Sequence, residues 1–334
     1  MSKRAFVTGG TGFVGSHLVD ELHRRGYDEV RCLVRKDPKW LKGKDVVQIK
    51  GDLSNAEKLW EGVDGVDYVY HVAGVTRAKD WDTFVKGNVR STLNVLGAVR
   101  AANPGVRKVL ITSSLAAVGR CASGVADEQT PLDPISMYGK SKAEMERLLT
   151  VPTSDEPSYM DTLPLVVIRP PSVYGPREAD IFQAIKAASR GIFAVLGKGN
   201  EPDLSLVHAR DLVRGMVDAA ESPLTTGRTF FLGSEEYYSW NEIRDVLAAA
   251  LGRRVISIPV PLPLVSAVGA LSEFAGLLTG TYPPLNREKA REIRHACKMC
   301  SVKLAAQTFG YSQQISLEEG MRETVEWYRK EGWL

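Results

Sequence analysis

The chain has 334 residues, an apolar content of 44% and a net charge of +3 at pH 7. This length suits one lobed unit with a sizeable core, and so mild a charge, without a basic stripe, argues against a nucleic-acid partner. No secretory segment precedes the first predicted strand, which favours a cytoplasmic location.

A short apolar strand is predicted from Lys3 to Thr8, and glycines follow directly at positions 9, 12 and 15. The next stretch, Ser16 to Arg25, is predicted to be helical, which gives the strand–turn–helix context of a dinucleotide fingerprint. Glycine permits a tight turn and close approach to a pyrophosphate, and the helix N-terminus offers free N–H groups to it. The predicted cofactor-binding residues of this turn are Gly9, Thr11, Gly12, Phe13, Val14 and Gly15.

The second predicted strand, Glu29 to Val34, ends in the basic residues Arg35 and Lys36. An acidic residue here would bind the ribose hydroxyls of NAD, whereas a basic one can hold the 2′-phosphate of NADP. The sequence therefore predicts NADP(H) as the preferred cofactor, with NAD(H) as the alternative. Asp52 follows the next predicted strand, Val46 to Lys50, where its carboxylate could accept a hydrogen bond from the adenine amino group.

Tyr138 and Lys142 lie four residues apart on a helix predicted to start near Pro134 or Ser136, so their side chains share one face. The Lys142 ammonium is expected to lower the pKa of the Tyr138 phenol from its ordinary value of about 10. A phenol so tuned can exchange a proton with a substrate oxygen. An earlier strand ends in the run 112–114, where a serine hydroxyl can orient that oxygen.

In this order, the motifs resemble those of the extended short-chain dehydrogenases/reductases, in the NAD-dependent epimerase/dehydratase superfamily. The resemblance spans nearly the whole chain and is carried by Thr8–Gly15, Gly51–Leu53, His71–Gly74, Asn88, Thr112–Ser114, Tyr138–Lys142, Arg169–Pro176 and Val207–Asp211. It implies that Tyr138 is the catalytic acid/base, that Lys142 binds the nicotinamide ribose and tunes Tyr138, and that Ser114 orients the substrate. Val118 stands where the family usually has an aromatic residue. Further cofactor contacts implied by position are Leu53, Ala73, Gly74, Asn88, Thr112 and Pro170.

Strands alternate with helical stretches as far as about residue 168, which predicts a parallel sheet with helices on both faces. The resemblance implies an α/β fold, a Rossmann-type doubly wound sheet with a smaller mixed α/β C-terminal lobe. We assign residues 1–168 to an NADP(H)-binding domain, with a returning segment near 205–235, and residues 169–334 to a substrate-binding lobe. The helix predicted from Trp81 to Ala102 and the Tyr138 helix commonly form a four-helix bundle in extended members, which implies a homodimer.

The cysteines near the C-terminus could be read as metal ligands, since Cys297 and Cys300 lie close to His295. A closed zinc site needs a fourth ligand, and no second cysteine pair supplies one. We therefore predict that no metal is bound and that the cysteines are reduced or packed in helices.

Residues 255–286 carry one charge, Glu273, and the stretch from Leu262 to Leu278 is apolar. Three interpretations stay open: a buried helix of the small lobe, an apolar lid over a hydrophobic substrate, or a helix in weak contact with a membrane surface through residues 262–279. Glu273 and the preceding prolines disfavour a membrane-spanning helix. This region resembles the branch with 3β-hydroxysteroid dehydrogenases and dihydroflavonol 4-reductases, which implies ketone and alcohol interconversion on a fairly apolar small molecule.

Two other functions remain as alternatives to this NADP(H)-dependent oxidoreductase. A nucleotide-sugar epimerase often has Asn at the position of Ser172 and a more polar C-terminal lobe. A non-catalytic NADP(H)-binding regulatory protein usually lacks Tyr or Lys from the pair, and both are present here. A sugar dehydratase is disfavoured because Leu115 and Ala116 stand where that reaction needs a carboxylic acid.

Overall fold

The structure is a computed structural model and describes residues 3–152, 157–196, 199–201, 204–261 and 287–334. The apolar stretch 262–279, for which a buried helix, a lid or membrane contact was expected, lies outside the described residues.

Strands and helices alternate along the chain, as the sequence predicts. Within the described ranges the strands are β1 (Arg4–Thr8), β2 (Glu29–Val34), β3 (Val47–Lys50), β4 (Tyr68–His71), β5 (Lys108–Thr112), β6 (Val125–Ala126), β7 (Leu165–Arg169), β8 (Ser172–Tyr174), β9 (Ile192–Leu196), β10 (Leu206–His208), β11 (Arg228–Phe231), β12 (Ile256–Val260) and β13 (Met299–Cys300). The α-helices in the same ranges are α1 (Phe13–Arg24), α2 (Ala56–Val63), α3 (Trp81–Phe84), α4 (Ser91–Ala102), α5 (Met137–Thr150), α6 (Tyr159–Thr162), α7 (Phe182–Ala188), α8 (Ala209–Glu221), α9 (Trp240–Leu251), α10 (Arg287–His295), α11 (Lys303–Phe309) and α12 (Leu317–Lys330).

Seven parallel strands form the central sheet, in the order β11-β7-β5-β4-β1-β2-β3. Successive side chains of a strand point to opposite faces, so Ala5 and Val7 of β1 join one hydrophobic core while Phe6 joins the other. The first core includes α1 and α8, and the second includes α2, α4 and α5. Both faces of the sheet are therefore covered by helices, and the predicted doubly wound α/β fold is confirmed.

The strand order reverses beside β1, because β2 and β3 lie on one side of it and β4 and β5 lie on the other. In open α/β sheets, ligands bind in the crevice that such a reversal opens at the carboxyl ends of the strands. The predicted glycine turn follows β1, and the Ala73-Gly74 segment comes shortly after β4. The fold thus brings these two segments to the same crevice.

The helix predicted from Trp81 to Ala102 is not uniform. A π-helical stretch, Val85–Arg90, separates α3 from α4. The chain lies tightly against Val75 there, since a Cβ on Gly87 would come within 2.3 Å of a Val75 methyl carbon. Asn88, within this stretch, bonds to the backbone of the same Val75. The predicted helix is therefore continuous from Trp81 to Ala102 but contains a π segment, a feature that often occurs at functional sites.

The later part of the chain builds smaller parallel pairs, β8 with β10 and β9 with β12. A third hydrophobic core, which includes Phe182, Phe193 and Tyr328, holds α7, α9 and α12 together. The chain also returns to the main sheet, since β11 pairs with β7 and α8 packs on α1. The division at residue 168 stays a prediction. No helix in the described ranges is both long and apolar enough to cross a membrane.

Candidate active site

The glycine turn is shaped by close backbone contacts. Gly9 has φ +79°, and a Cβ on it would lie 2.6 Å from the Ala73 nitrogen. A Cβ on Gly15 would lie 2.1 Å from the Gly9 carbonyl oxygen, which the Gly12 N–H already bonds at 2.9 Å. Only glycine permits this conformation and approach, and α1 begins directly afterwards at Phe13. Thr11 and Val14 are partly exposed at the same turn, so the backbone fits a pyrophosphate at a helix N-terminus.

The far end of the crevice carries charges that are open to solvent. Arg35 and Lys36 follow β2 and are exposed, and Asp52 follows β3 and is also exposed. The Asp52 carboxylate accepts hydrogen bonds from the N–H (2.8 Å) and hydroxyl (2.6 Å) of Ser54. These bonds, with help from the Arg35 charge, lower the pKa of Asp52. Leu53 beside it is partly buried. This end therefore presents basic groups and an ionised carboxylate, which suits the adenosine half of a dinucleotide.

Lys142 is buried on α5 beneath the carboxyl end of β5. Its ammonium donates to the Thr112 carbonyl oxygen at 2.7 Å, and burial lowers its pKa to about 8, although the Glu146 charge opposes the shift. A Cβ on the exposed Gly74 would lie 3.3 Å from the Lys142 nitrogen. The buried hydroxyl of Thr112 has no hydrogen-bond partner among the described residues. Gly74 and Thr112 thus both lie next to the Lys142 ammonium.

Tyr138 projects from the first turn of the same helix, and its phenol is hydrogen-bonded to the Ser114 hydroxyl. The prediction that Lys142 lowers the pKa of Tyr138 is wrong for this structure. The pKa of Tyr138 is raised, mainly by burial, against the effect of the Ser114 bond, and the Glu292 charge raises it further. Lys142 does not offset this because its ammonium is directed to the Thr112 carbonyl.

Asn88 holds two walls of the site together. Its amide donates to the Val75 carbonyl (2.9 Å) and to the Ser141 hydroxyl (2.8 Å), while its oxygen accepts from the Val75 N–H (2.7 Å). Ser141 in turn donates to the Tyr138 carbonyl at 2.7 Å. The segment after β4 is thereby fixed to α5. Pro170 is buried after β7, where its carbonyl accepts from the Leu115 N–H at 2.9 Å.

A buried ion pair under the site was not predicted from the sequence. Arg169 at the end of β7 and Glu146 on α5 are both 7% exposed and are joined by a bidentate contact, the shortest N–O distance being 2.6 Å. The Ser113 hydroxyl also donates to the Glu146 carboxylate. The i, i+4 spacing of Lys142 and Glu146 placed both on one helix face, and the position of Arg169 at a strand end was the only other signal.

The prediction that the cysteines are reduced or packed in helices is corrected for one pair. Cys121 and Cys297 form a disulfide with a Cα–Cα distance of 5.6 Å, so they are not reduced thiols. The remaining two, Cys32 and Cys300, are free and buried, and burial raises the pKa of each to about 12. The partners of the disulfide are 176 residues apart, a separation that cysteine spacing alone does not resolve. Among the described residues, no group of three His, Cys, Asp or Glu is placed to hold a metal ion.

Comparison with known proteins gives matches over the whole length. The family model for the NAD-dependent epimerase/dehydratase family matches residues 5–233. A ceramide reductase of Caulobacter vibrioides is 29% identical over 331 residues, covering 98% of this chain and 95% of the relative. A 2-alkyl-3-oxoalkanoate reductase of Shewanella oneidensis is 28% identical and covers 95% of this chain and 84% of its own length.

Two further matches concern the branch and the fold. A putative dihydroflavonol 4-reductase of Synechocystis is 28% identical over 352 residues, covering 98% of this chain and 95% of the relative. The crystal structure of gox2253 has a TM-score of 0.79 and 27% identity and covers 99% of both chains. The resemblance read from the motifs is therefore matched by relatives along the entire chain.

Proposed function

The chain belongs to the NAD-dependent epimerase/dehydratase family, and on that premise we propose that it is an NADP(H)-dependent oxidoreductase that interconverts a ketone and a secondary alcohol on a fairly apolar small molecule. The observation that carries the proposal is the Ser114–Tyr138 hydrogen bond beside the buried Lys142 ammonium. These three side chains are the predicted catalytic residues, and the fold places them at the carboxyl edge of the sheet.

The proton chemistry follows from the two hydroxyl groups. In reduction, the substrate carbonyl oxygen accepts hydrogen bonds from Ser114 and Tyr138, and Tyr138 then gives its proton to the oxygen. Its raised pKa keeps the phenol protonated at neutral pH, which suits a proton donor. In oxidation, Tyr138 takes the proton from the alcohol.

The surroundings of Lys142 suit the nicotinamide half of the cofactor, because its buried ammonium lies beside Gly74 and Thr112, whose buried hydroxyl has no partner among the described residues. A bound nicotinamide would supply or accept the hydride. Lys142 would bind the nicotinamide ribose, and Asn88 holds the helix of Lys142 in place through its bonds to Val75 and Ser141.

The preference for NADP(H) is supported by charge at the other end. Arg35 and Lys36 are exposed where the cofactor's adenosine ribose is expected, and no Asp or Glu stands at that point of the sequence. A guanidinium can bind a phosphate through two parallel hydrogen bonds.

The apolar substrate is supported by the relatives. Two are named as reductases, of ceramide and of 2-alkyl-3-oxoalkanoates, and both names denote molecules with alkyl chains. The dihydroflavonol 4-reductase relative lies in the branch that the sequence resembles.

The test is NADPH consumption with a panel of apolar ketones and nucleotide sugars, run beside Tyr138→Phe. We expect the wild type to oxidise NADPH with at least one apolar ketone. Tyr138→Phe should lower turnover by about 10²–10⁴-fold, because a positioned general acid contributes on this order, while NADPH binding stays nearly intact.

Normal turnover in Tyr138→Phe would contradict the role of the phenol. Interconversion of a nucleotide sugar without net use of cofactor would assign the chain to the epimerases instead. Tight NADPH binding without turnover of any compound would favour a regulatory protein.

A further inference from the structure

The helix α10 lies against the N-terminus of the catalytic helix. Its Glu288 carboxylate accepts the N–H of Met137, the first residue of α5. Its Glu292 carboxylate accepts the hydroxyl of Ser136, the N-cap residue, at 2.8 Å. Glu288 and Glu292 are four residues apart and therefore share one face of α10. Two carboxylates thus meet a helix N-terminus, where negative charge is stabilising.

Glu292 also orients the helix cap. The Ser136 oxygen accepts the Gly139 N–H at 3.1 Å, and it can do so while its own proton is donated to Glu292. A serine hydroxyl has one proton and two lone pairs, so the carboxylate fixes the direction in which the lone pairs point. The first turn of α5, which carries Tyr138, is held in this way by a residue of the C-terminal part of the chain.

The negative charge of Glu292 acts on the Tyr138 phenol. The Glu292 side chain is 15% exposed, and its carboxylate raises the pKa of Tyr138. From the other elements, Ser114 and Lys142 face the reaction site, and their effects are described above. Around α10 itself, Lys289 pairs with Glu292 at 2.6 Å. Arg291, Lys140 and Glu292 also influence the charge of neighbouring Glu288.

We propose that Glu292 is a specificity-determining and positioning residue, which makes the space beside Tyr138 anionic and so favours neutral ketones over ketones with a carboxylate two carbons from the carbonyl carbon. The inference rests on the proposed function, because the substrate oxygen must lie at Tyr138 and Ser114. Glu292 is bonded to Ser136, two residues before Tyr138, so a substrate carboxylate near the reacting carbonyl would share its surroundings, and like charges repel strongly where water is partly excluded.

The compounds named for the two reductase relatives differ in charge near the reacting carbon. A 3-oxoalkanoate carries a carboxylate two carbons from its ketone, whereas ceramide is an uncharged amide. The charge at Glu292 favours substrates of the second kind, which are neutral near the reacting carbon.

The experiment compares a β-keto acid with its methyl ester, which have the same ketone and chain and differ in one charge. The measured quantity is the ratio of kcat/KM for the acid to that for the ester, with NADPH. We expect the wild type to favour the ester and Glu292→Gln to raise the ratio roughly tenfold, since one charge repulsion in an intermediate dielectric is of this order. The Gln oxygen can still accept the Ser136 hydroxyl.

Two further variants make the result specific. Lys289→Gln removes the cation paired with Glu292 and should move the ratio in the opposite direction. Glu144→Gln makes the same charge change on the exposed, Arg147-paired side of α5 and should leave the ratio unchanged. Thermal unfolding and NADPH binding of each variant report whether it is folded.

The pH dependence of the reaction rate distinguishes an electrostatic role of Glu292 from a purely structural one, because a structural role would leave that dependence unchanged. In the alcohol-oxidation direction Tyr138 must be deprotonated, so the rate rises with pH. Loss of the Glu292 anion makes the phenolate easier to form, and Glu292→Gln should shift this rise to lower pH. An unchanged acid-to-ester ratio and an unchanged pH profile in a folded Glu292→Gln would overturn the inference. Inactivity of the wild type with every ketone would instead overturn the proposed function.

Discussion

The two ends of the proposed cofactor crevice differ in how far their charged groups are removed from water. At the catalytic end, Lys142 is buried and its pKa is lowered to about 8. Arg35 and Asp52 at the other end are exposed. Coulomb interactions strengthen as the local dielectric falls, whereas exposed charges are screened by water and salt. If the proposed function holds, proton transfer takes place where solvent is excluded, while the choice of cofactor depends on solvated groups.

The largest expected effect on stability lies at the buried end. Glu146→Ala should lower the free energy of unfolding by about 3–5 kcal/mol, because it leaves the Arg169 guanidinium buried without its partner. Glu144→Ala, which breaks an exposed pair with Arg147 on the same helix, should cost at most about 1 kcal/mol. Urea denaturation measures both.

Equal losses of unfolding free energy in Glu146→Ala and Glu144→Ala would contradict the expected difference between the buried and the exposed ion pair. The double change Glu146→Leu with Arg169→Met sharpens the test. Because an apolar pair leaves no uncompensated charge, the double variant should be more stable than Glu146→Leu alone.

At the exposed end, Arg35→Asp should weaken NADPH binding by roughly 30-fold, since a charge-assisted hydrogen bond of about 2 kcal/mol is lost. NADH binding should change little, because NADH has no 2′-phosphate. Fluorescence titration of both cofactors measures the two dissociation constants. The advantage of NADPH should also shrink as salt is added.

Lys42→Asp is the matched control, since Lys42 is an exposed cation of the same loop and pairs with Asp37 at 3.3 Å. Its NADPH affinity should stay near that of the wild type. Equal losses of NADPH and NADH affinity in Arg35→Asp would mean that Arg35 does not bind the 2′-phosphate.

The smallest expected effect concerns a neutral histidine beneath the catalytic end. His71 lies between the Thr8 hydroxyl (2.7 Å) and the Thr92 hydroxyl (3.0 Å), and burial lowers its pKa to about 3. Below pH 6.5 the His71 side chain is protonated in the unfolded chain but stays neutral in the folded protein, so stability falls as the pH falls. By pH 5.5 this loss should reach about 1.4 kcal/mol.

Urea denaturation at pH 7.5 and pH 5.5 tests this sign. His71→Gln should lose less stability than the wild type over the same interval, because its side chain does not titrate. The buried His17 and His208 keep their own contributions, since burial lowers the pKa of His17 to about 4 and that of His208 to about 3. An identical pH dependence in wild type and variant would show that folding does not lower the pKa of His71.

Local patterns were enough to predict the main sheet, whereas the catalytic role of Ser114, Tyr138 and Lys142 stays a prediction. The glycines after β1 signal a turn because only they permit its backbone contacts, and Tyr138 and Lys142 share a helix face because of the helical repeat. The sequence patterns did not predict how deeply the Tyr138 phenol is buried. The pKa of Tyr138 is raised rather than lowered, since burial outweighs the effect of the Ser114 hydrogen bond and Lys142 is bonded to the Thr112 carbonyl.

Contacts between distant segments also could not be predicted from the sequence. The Cys121–Cys297 disulfide, the Glu146–Arg169 pair and the approach of Glu292 to Ser136 each join residues far apart in the chain or on different elements. No periodicity links such residues. The role of the specific site residues stays a prediction that the variants above can check.

By itself, the sequence determined the glycine turn after β1, the alternation of strands and helices and the order Ser114, Tyr138, Lys142, because these depend on backbone freedom, side-chain period and spacing. Only the tertiary structure decided which charges are buried, that Lys142 bonds to Thr112 and that α10 places a carboxylate near Tyr138. The physical reason is that desolvation and Coulomb forces depend on distances through space, which folding sets.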